Sequence, residues 1–489
     1  MEMSNELPSL LRQTLARFSP QSTISASTYS VLDPSNGKTV ATVTNATSEA
    51  VKSAIARAGA FKTLAPTERM AMLSRWHSLI LDRSDELATI ATLESGKPLR
   101  EAKGEAGYAA SFVRYYAHEA LATTGSTLVS PHPRSETRLW TLRAPVGPCA
   151  LITPWNFPLA MATRKLAPAL AAGNACILKP APETPLCALA LRVLATEAGI
   201  PEDAFQVLTA DREVAKDVVG MELMASLVVR KLSFTGSSPA GVALTEQAAR
   251  TMKRVSMELG GNAPFIVFED ADMDRSVDGC MGAKFRNAGQ ACISVNRVYV
   301  HSSLHDEFVE KLSKKMDSLK VGNGFDVTVN IGPLISPSAV QKVSSLVEAS
   351  LSAGATLSHQ IPLRNSIASS GGNYFPPTLL TNVTDEMPAF KDEIFGPIVS
   401  VAKFESENEV VRRANNTPYG LAAYVYTSDV ARVHRVSELL QTGMVGVNES
   451  VISCEVAPFG GVGMSGVGRE GAREGMDAYL ETKYVCLGL

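Results

Sequence analysis

A chain of 489 residues, 45% of them hydrophobic and 19% charged, is too long for one compact core and too apolar to stay disordered. Two large domains and a small third element are expected. The net charge of −3 leaves no electrostatic footprint for nucleic acid, and no run approaches the roughly twenty apolar residues that a membrane span requires.

Seven cysteines (149, 176, 187, 280, 292, 454 and 486) are odd in number and scattered, with no CxxC pair or zinc spacing. They read as reduced thiols in a cytosol-like compartment. The start lacks the apolar core of a secretory signal. Residues 10–18 are weakly amphipathic and basic, as an organelle presequence is, but Glu2 and Glu6 argue for an ordinary first helix. A cytoplasmic location is expected, with the mitochondrion as the alternative.

In chain order, strand-like runs at 28–31 and 39–43 flank Pro34-Ser35-Asn36-Gly37 and predict a hairpin. Helical spacing follows at 50–60, 66–83 and 85–95. From Pro145 strands and helices alternate: strand 149–153, helix 159–171, strand 175–179, helix 185–198, strand 205–208, helix 212–219, strand 228–234, helix 239–249 and strand 254–257. Such alternation implies parallel pairing through right-handed crossovers, a doubly wound sheet. It restarts after Glu258 with strand 265–268, a helix from 273 to about 287, strand 295–300, helix 304–319, and later 400–404, 407–415, 422–426 and 431–440. The stretch 321–393 reads as Gly/Pro turns. Two pieces fit neither body: 130–142, rich in Pro, Ser and Arg, and the apolar tail 478–489. Such a tail is an exposed edge unless something pairs with it, and a partner subunit is expected to do so.

Chemistry concentrates in a few segments. In Phe285-Arg286-Asn287-Ala288-Gly289-Gln290-Ala291-Cys292 a thiol follows a short polar, glycine-containing segment, which makes Cys292 the candidate nucleophile. Upstream, Met257-Glu258-Leu259-Gly260-Gly261-Asn262 sets a carboxyl among apolar neighbours at a strand end. Burial there raises the pKa towards neutrality, as a general base for water needs. The junction 233–241, around Phe234, Gly236 and Ser237, joins strand to helix and offers unpaired N–H groups to a pyrophosphate. Lys179 ends another strand of the same sheet, within reach of a ribose or a 2′-phosphate. In Pro154-Trp155-Asn156-Phe157-Pro158 the Asn156 amide can donate to an oxyanion together with the Cys292 N–H. Glu393 supplies a second carboxylate, and no histidine cluster supports a metal.

The segments 154–158, 234–237, 257–262, 285–292, 393–397 and 458–461 occur in the order and approximate spacing of the aldehyde dehydrogenase superfamily, which the chain resembles over nearly its whole length. The resemblance implies two doubly wound α/β domains, one a Rossmann-like cofactor domain and one catalytic, plus a small β oligomerisation element. It places the dinucleotide-binding domain at 1–128 and 145–257, the catalytic domain at 258–445 and the oligomerisation element at 129–144 and 476–489. Residues 446–475 then return to the cofactor side and the substrate tunnel. By carry-over Cys292 attacks the aldehyde, Asn156 holds the oxyanion and Glu258 activates the hydrolytic water. Glu393 holds the nicotinamide-side ribose and Lys179 the adenine-side ribose, with Thr153, Pro154, Trp155, Pro182, Phe234, Gly236, Ser237, Leu259 and Phe395 lining the cofactor path.

Within the superfamily, 285–290, 263–268 and 448–457 resemble the succinate-semialdehyde dehydrogenase branch. Arg164 and Arg286 stand where relatives acting on neutral aldehydes carry aromatic residues. A substrate ending in a carboxylate calls for such forked cations, and Ser453 adds a hydroxyl. Ser294 replaces the second cysteine with which some of this branch close a disulfide, and Gly463 replaces a common lysine. Pro182 stands where NAD-preferring relatives place a glutamate, so NADP is expected, with NAD the alternative because Glu183 can still reach the ribose. The expected partners are an aldehyde bearing a carboxylate and a second copy of the chain, in a homodimer or homotetramer. Oxidation of another ω-carboxy or amino aldehyde, such as glutarate semialdehyde, is the close alternative. A cysteine esterase without redox chemistry is the alternative from another class.

Overall fold

The computed structural model describes residues 8–18, 27–131 and 136–488. Two sheets organise it. The first has six strands in the order Gly466–Val467, Arg254–Glu258, Lys231–Thr235, Cys149–Ile152, Cys176–Lys179 and Phe205–Val207, parallel except for the first pair. Cys149–Ile152 and Lys231–Thr235 are buried almost throughout, because helices cover both faces of a parallel sheet. The chain leaves Cys149–Ile152 towards one edge and returns at Lys231–Thr235 on the other side. The switch point between these two strands is where open α/β sheets bind ligands.

The second sheet has seven strands, in the order Thr356–Gln360, Thr378–Thr381, Ile398–Phe404, Val295–His301, Ala263–Val267, Ala422–Tyr426 and Met444–Val447, parallel except for the first pair. Only residues 259–262 separate Arg254–Glu258 from Ala263–Val267. The carboxyl ends of the first sheet therefore face the amino ends of the second, and the loop before Val295–His301 lies in between. A third, antiparallel sheet joins Leu480–Leu487, Arg138–Pro145 and Thr127–Leu128. Among the described residues no helix is long and apolar enough to cross a membrane.

Several expectations need correction. The tail does not wait for a partner to pair with it: Leu480–Leu487 pairs within the chain along the whole of Arg138–Pro145. Part of the Pro/Ser/Arg-rich piece, 132–135, lies outside the described residues, as does Leu489. The stretch 321–393 is not only turns, since it holds helix Pro337–Ser352 and strands Thr356–Gln360 and Thr378–Thr381. The strand expected at 228–234 begins three residues late, at Lys231–Thr235. The helix expected to reach 287 is Met273–Phe285, because Asn287 and Ala288 take left-handed φ of 50° and 54°. Gly289 follows at φ 77°, where a Cβ would lie 2.2 Å from the Gly396 carbonyl oxygen, so only glycine lets the loop close on that strand.

The largest omission is the 21-residue helix Leu99–Glu119. Its buried face opens with alanines and a carboxylate (Ala102, Glu105, Ala106, Ala109, Ala110) before the larger Phe112, Val113 and Tyr116, while Gly104 and Gly107 are exposed. Small residues let it pack closely on helix Pro158–Ala171. One of its carboxylates, Glu105, accepts from the Leu159 and Ala160 N–H groups at 2.8 and 3.2 Å and so caps that second helix. Buried Lys97 pairs with Glu105 and donates to the Asn156 carbonyl at 2.7 Å. Replacing Lys97 by Met strands a buried carboxylate, and chemical denaturation is expected to show a loss of about 3–5 kcal/mol; an unchanged midpoint would count against this account of the pair.

Candidate active site

A cavity of about 340 Å³ opens where the two sheets meet. Its wall brings together Cys292, Asn156, Arg164, Arg286 and Ser453, with Pro154, Trp155, Gly236, Ser237, Leu259, Glu393 and Phe395. Glu258, Thr153 and Phe234 are buried behind that wall, while Lys179 and Pro182 belong to the end of strand Cys176–Lys179 and the turn after it.

Cys292 follows the left-handed turn and precedes Val295–His301. Burial pushes its thiol up to about 12; Arg164 pulls it down, and the carboxyls of Glu258 and Glu393 push it further. Glu258 ends strand Arg254–Glu258 and is held well above the usual carboxyl range, first by burial and then by Glu470, against the pull of Lys165, Arg164 and Arg469. Its Oε2 has no hydrogen-bond partner among the described residues. Burial thus acts on thiol and carboxyl in the same direction, favouring the protonated form of each. Asn156 accepts from the Phe157 N–H at 3.1 Å, and its amide donates to the Gln290 carbonyl at 3.0 Å. Asn287 donates to the Asn156 carbonyl at 3.0 Å, so the loops of Asn156 and Cys292 are tied to each other.

Arg164 is buried. It donates to the Tyr108 hydroxyl at 2.6 Å and to Ser453 Oγ at 3.3 Å, and its guanidinium lies 4.2 Å from the Phe459 ring centre. Arg286 is exposed and stacks 4.8 Å from the Phe157 ring. Neither forms an ion pair among the described residues. Two uncompensated cations on one cavity with a thiol is an arrangement that favours an anion. Tyr108 escaped the reading of the sequence because it rides on the unassigned helix Leu99–Glu119. Its hydroxyl also contacts Ser453 Oγ at 2.6 Å, closing a Tyr108–Arg164–Ser453 cluster. Lys342 and Arg212, also unforeseen, complete the wall on the side of the strand–helix junction and Glu393. Lys342 stands on the overlooked helix Pro337–Ser352 and donates to the Glu393 carbonyl at 2.7 Å.

The opposite side is shaped to take a dinucleotide. At Gly236, between strand Lys231–Thr235 and helix Ser238–Ala249, a Cβ would meet the Phe234 ring at 2.4 Å. The Ser237 side chain makes no cap bond, so the first N–H groups of this helix face the cavity without a side-chain acceptor. A Cβ at Gly260 would lie 2.9 Å from Glu393 Oε2, whose Oε1 accepts from the Gly261 N–H at 3.0 Å. Burial lifts the Glu393 carboxyl above its usual range. Trp155 and Phe395 meet edge to face at 5.5 Å on the same wall.

These features are those of an enzyme built on a thiol, a buried carboxyl and a dinucleotide cleft. The chain belongs to the aldehyde dehydrogenase family, whose profile matches residues 21–485. It is 46% identical over 463 residues to the succinate-semialdehyde dehydrogenase [NADP(+)] of Escherichia coli (strain K12), covering 94% of each chain. It is 48% identical over 468 residues to a 3-sulfolactaldehyde dehydrogenase of Pseudomonas putida, covering 95% of this chain and 94% of that one. Among solved structures, the succinate-semialdehyde dehydrogenase from Burkholderia pseudomallei superposes with a TM-score of 0.91 at 45% identity, over 95% of each chain.

A thiol held this high reacts through a small thiolate fraction. In the enzyme without dinucleotide, iodoacetamide inactivation is expected to accelerate about tenfold per pH unit from pH 7 to 9; a plateau reached by pH 8 would contradict the burial described.

Proposed function

We propose that the protein oxidises a short aldehyde whose far end is a carboxylate, succinate semialdehyde before others, to the corresponding acid, with NADP as the preferred acceptor and NAD as the second. The observation that carries this reading is the pair Arg164 and Arg286, which line the Cys292 cavity and form no ion pair among the described residues. The relatives support it. Two are named for succinate semialdehyde, one of them also for NADP(+), and a third for an aldehyde with a sulfonate at its far end.

Arg164, steadied by Tyr108 and Ser453, and Arg286 grip the distal carboxylate and aim the aldehyde carbon at Cys292. The Cys292 sulfur, its proton passed to water, adds to the carbonyl carbon; the new oxyanion takes hydrogen bonds from the Asn156 amide, released from Gln290, and the Cys292 N–H, and loss of that carbon's hydride to the bound acceptor would leave a thioester. Gly236, Ser237, Leu259, Glu393, Phe395 and the wall from Thr153 to Trp155 hold the dinucleotide, with Lys179 and Pro182 at its adenosine end. When bound, that group supplies the hydride acceptor. Glu258, once ionised, takes a proton from water as the water attacks the thioester carbon, and the acid leaves with the thiol restored. That base also favours water over coenzyme A as the acceptor of the acyl group.

The same reading divides the chain into a cofactor domain (1–128 and 145–257), a catalytic domain (258–445), an oligomerisation element (129–144 and 476–489) and a returning segment (446–475). The small third sheet leaves Leu128, Leu142, Tyr484 and Leu487 exposed, in keeping with a homodimer or homotetramer. The cytoplasm is the proposed compartment, with the mitochondrion second.

Steady-state assays with succinate semialdehyde, glutarate semialdehyde, propanal and benzaldehyde test the substrate. Arg286→Leu is expected to lower kcat/KM for succinate semialdehyde by about 10- to 100-fold while leaving propanal little changed; a wild-type preference for the neutral aldehydes would reject the reading. Glu258→Gln is expected to cut turnover by about 100-fold or more yet still release one equivalent of reduced dinucleotide per site in a rapid burst. Loss of that burst together with turnover would move Glu258 from the hydrolytic step to an earlier one.

A further inference from the structure

Beyond the switch-point cleft, strand Cys176–Lys179 ends in a buried lysine that has no ion-pair partner among the described residues. Burial lowers its ammonium to about 8, while Glu183 and Asp211 favour the charged form and Arg212 opposes it. These three groups therefore surround Lys179 electrostatically. Arg212 belongs to a different connection, the short helix Arg212–Val214 capped by Asp211, and it also lines the cavity. Its side chain is 77% exposed and touches Glu183 Oε1 at 3.2 Å. So open an ion pair holds weakly, and a better acceptor can draw the guanidinium away.

We propose that Arg212 sets the cofactor preference: it masks Glu183 in the free enzyme and, together with Lys179, grips the phosphate on the 2′-oxygen of the adenosine ribose in the bound one. The inference rests on the NADP reading above and gives it a second cation. Glu183 is the residue that would favour NAD, since a carboxylate near that ribose accepts from a 2′-hydroxyl and repels a 2′-phosphate. In this chain its charge is engaged by Arg212, and Pro182 stands on its Lys179 side. A guanidinium presents two parallel donors to phosphate where an ammonium presents a point charge, so Arg212 and Lys179 are complementary rather than redundant. The dianion also restores the full charge of a lysine that burial disfavours.

Calorimetric titration of the full-length protein with adenosine 2′,5′-bisphosphate and with AMP, which lacks only the 2′-phosphate, reads this without turnover. The wild type is expected to bind the bisphosphate more tightly, and Arg212→Ala to lower the ratio of the two affinities by about tenfold, the value of one charged contact. Arg212→Lys should recover part of that loss, and Glu183→Gln should raise the ratio above the wild type's. A wild type that binds AMP as tightly as the bisphosphate, or more tightly, would overturn both the NADP reading and this inference. A wild type that favours the bisphosphate, with Arg212→Ala keeping the same ratio, would overturn the role of Arg212 alone. Because Arg212 is exposed, neither outcome hinges on folding.

Discussion

Everything at the candidate site depends on the short crossing between the two sheets. Residues 259–262 carry the chain from Arg254–Glu258 of the first directly into Ala263–Val267 of the second. So brief a connection leaves no freedom in how the strand ends face each other. Glu258 is thereby set at the exit of one sheet, and the loop of Cys292 at the entrance of the other. The crossing is locked from both sides, by the Leu259 N–H bonded to the Ser465 carbonyl at 2.9 Å and by the Gly261 N–H bonded to Glu393.

That closeness has an electrostatic consequence. Burial raises the proton affinity of both Cys292 and Glu258, because an anion in a poorly solvated wall costs more than a neutral group. Arg164 is a counterweight whose charge lowers both. A single buried guanidinium thus serves two ends of the proposed chemistry, favouring the thiolate while remaining available to the far end of the substrate. Tyr108 and the rings of Phe112 and Phe459 make such burial tolerable, since they offer a hydroxyl acceptor and π faces in place of an ion-paired carboxylate.

A quieter scaffold stands behind Asn156. Lys97 and Glu105 form a fully buried pair whose remaining bonds go to the Asn156 carbonyl and to the first N–H groups of the helix that carries Arg164. Glu101, one turn earlier on the same helix as Glu105, accepts from the Asn287 N–H at 2.7 Å. Helix Leu99–Glu119 therefore holds the Asn156 loop, the Arg164 helix and the nucleophile loop at once. Polar groups so thoroughly satisfied are costly to assemble and rigid once assembled, which is what a site holding reacting atoms to a fraction of an ångström requires.

The sequence by itself determined the alternating strands and helices, the parallel sheets and the segments that carry Cys292, Glu258, Asn156, Glu393, Arg164 and Arg286. For most of them the signals are local: runs of buried strand residues, glycines at tight turns, and reactive side chains beside them; the two arginines stood out through the family resemblance. Only the tertiary structure decided what surrounds them. Helix Leu99–Glu119 was passed over because the first turns of its buried face hold alanines and a carboxylate rather than large apolar side chains, and with it went Tyr108, Glu105 and the support of Asn156. Lys342 and Arg212 were invisible for another reason. A solvent-facing cation carries no mark of the cavity it borders until separate connections fold against each other, and neither the pairing of Lys342 with Glu393 nor that of Arg212 with Glu183 is encoded in any one stretch of chain.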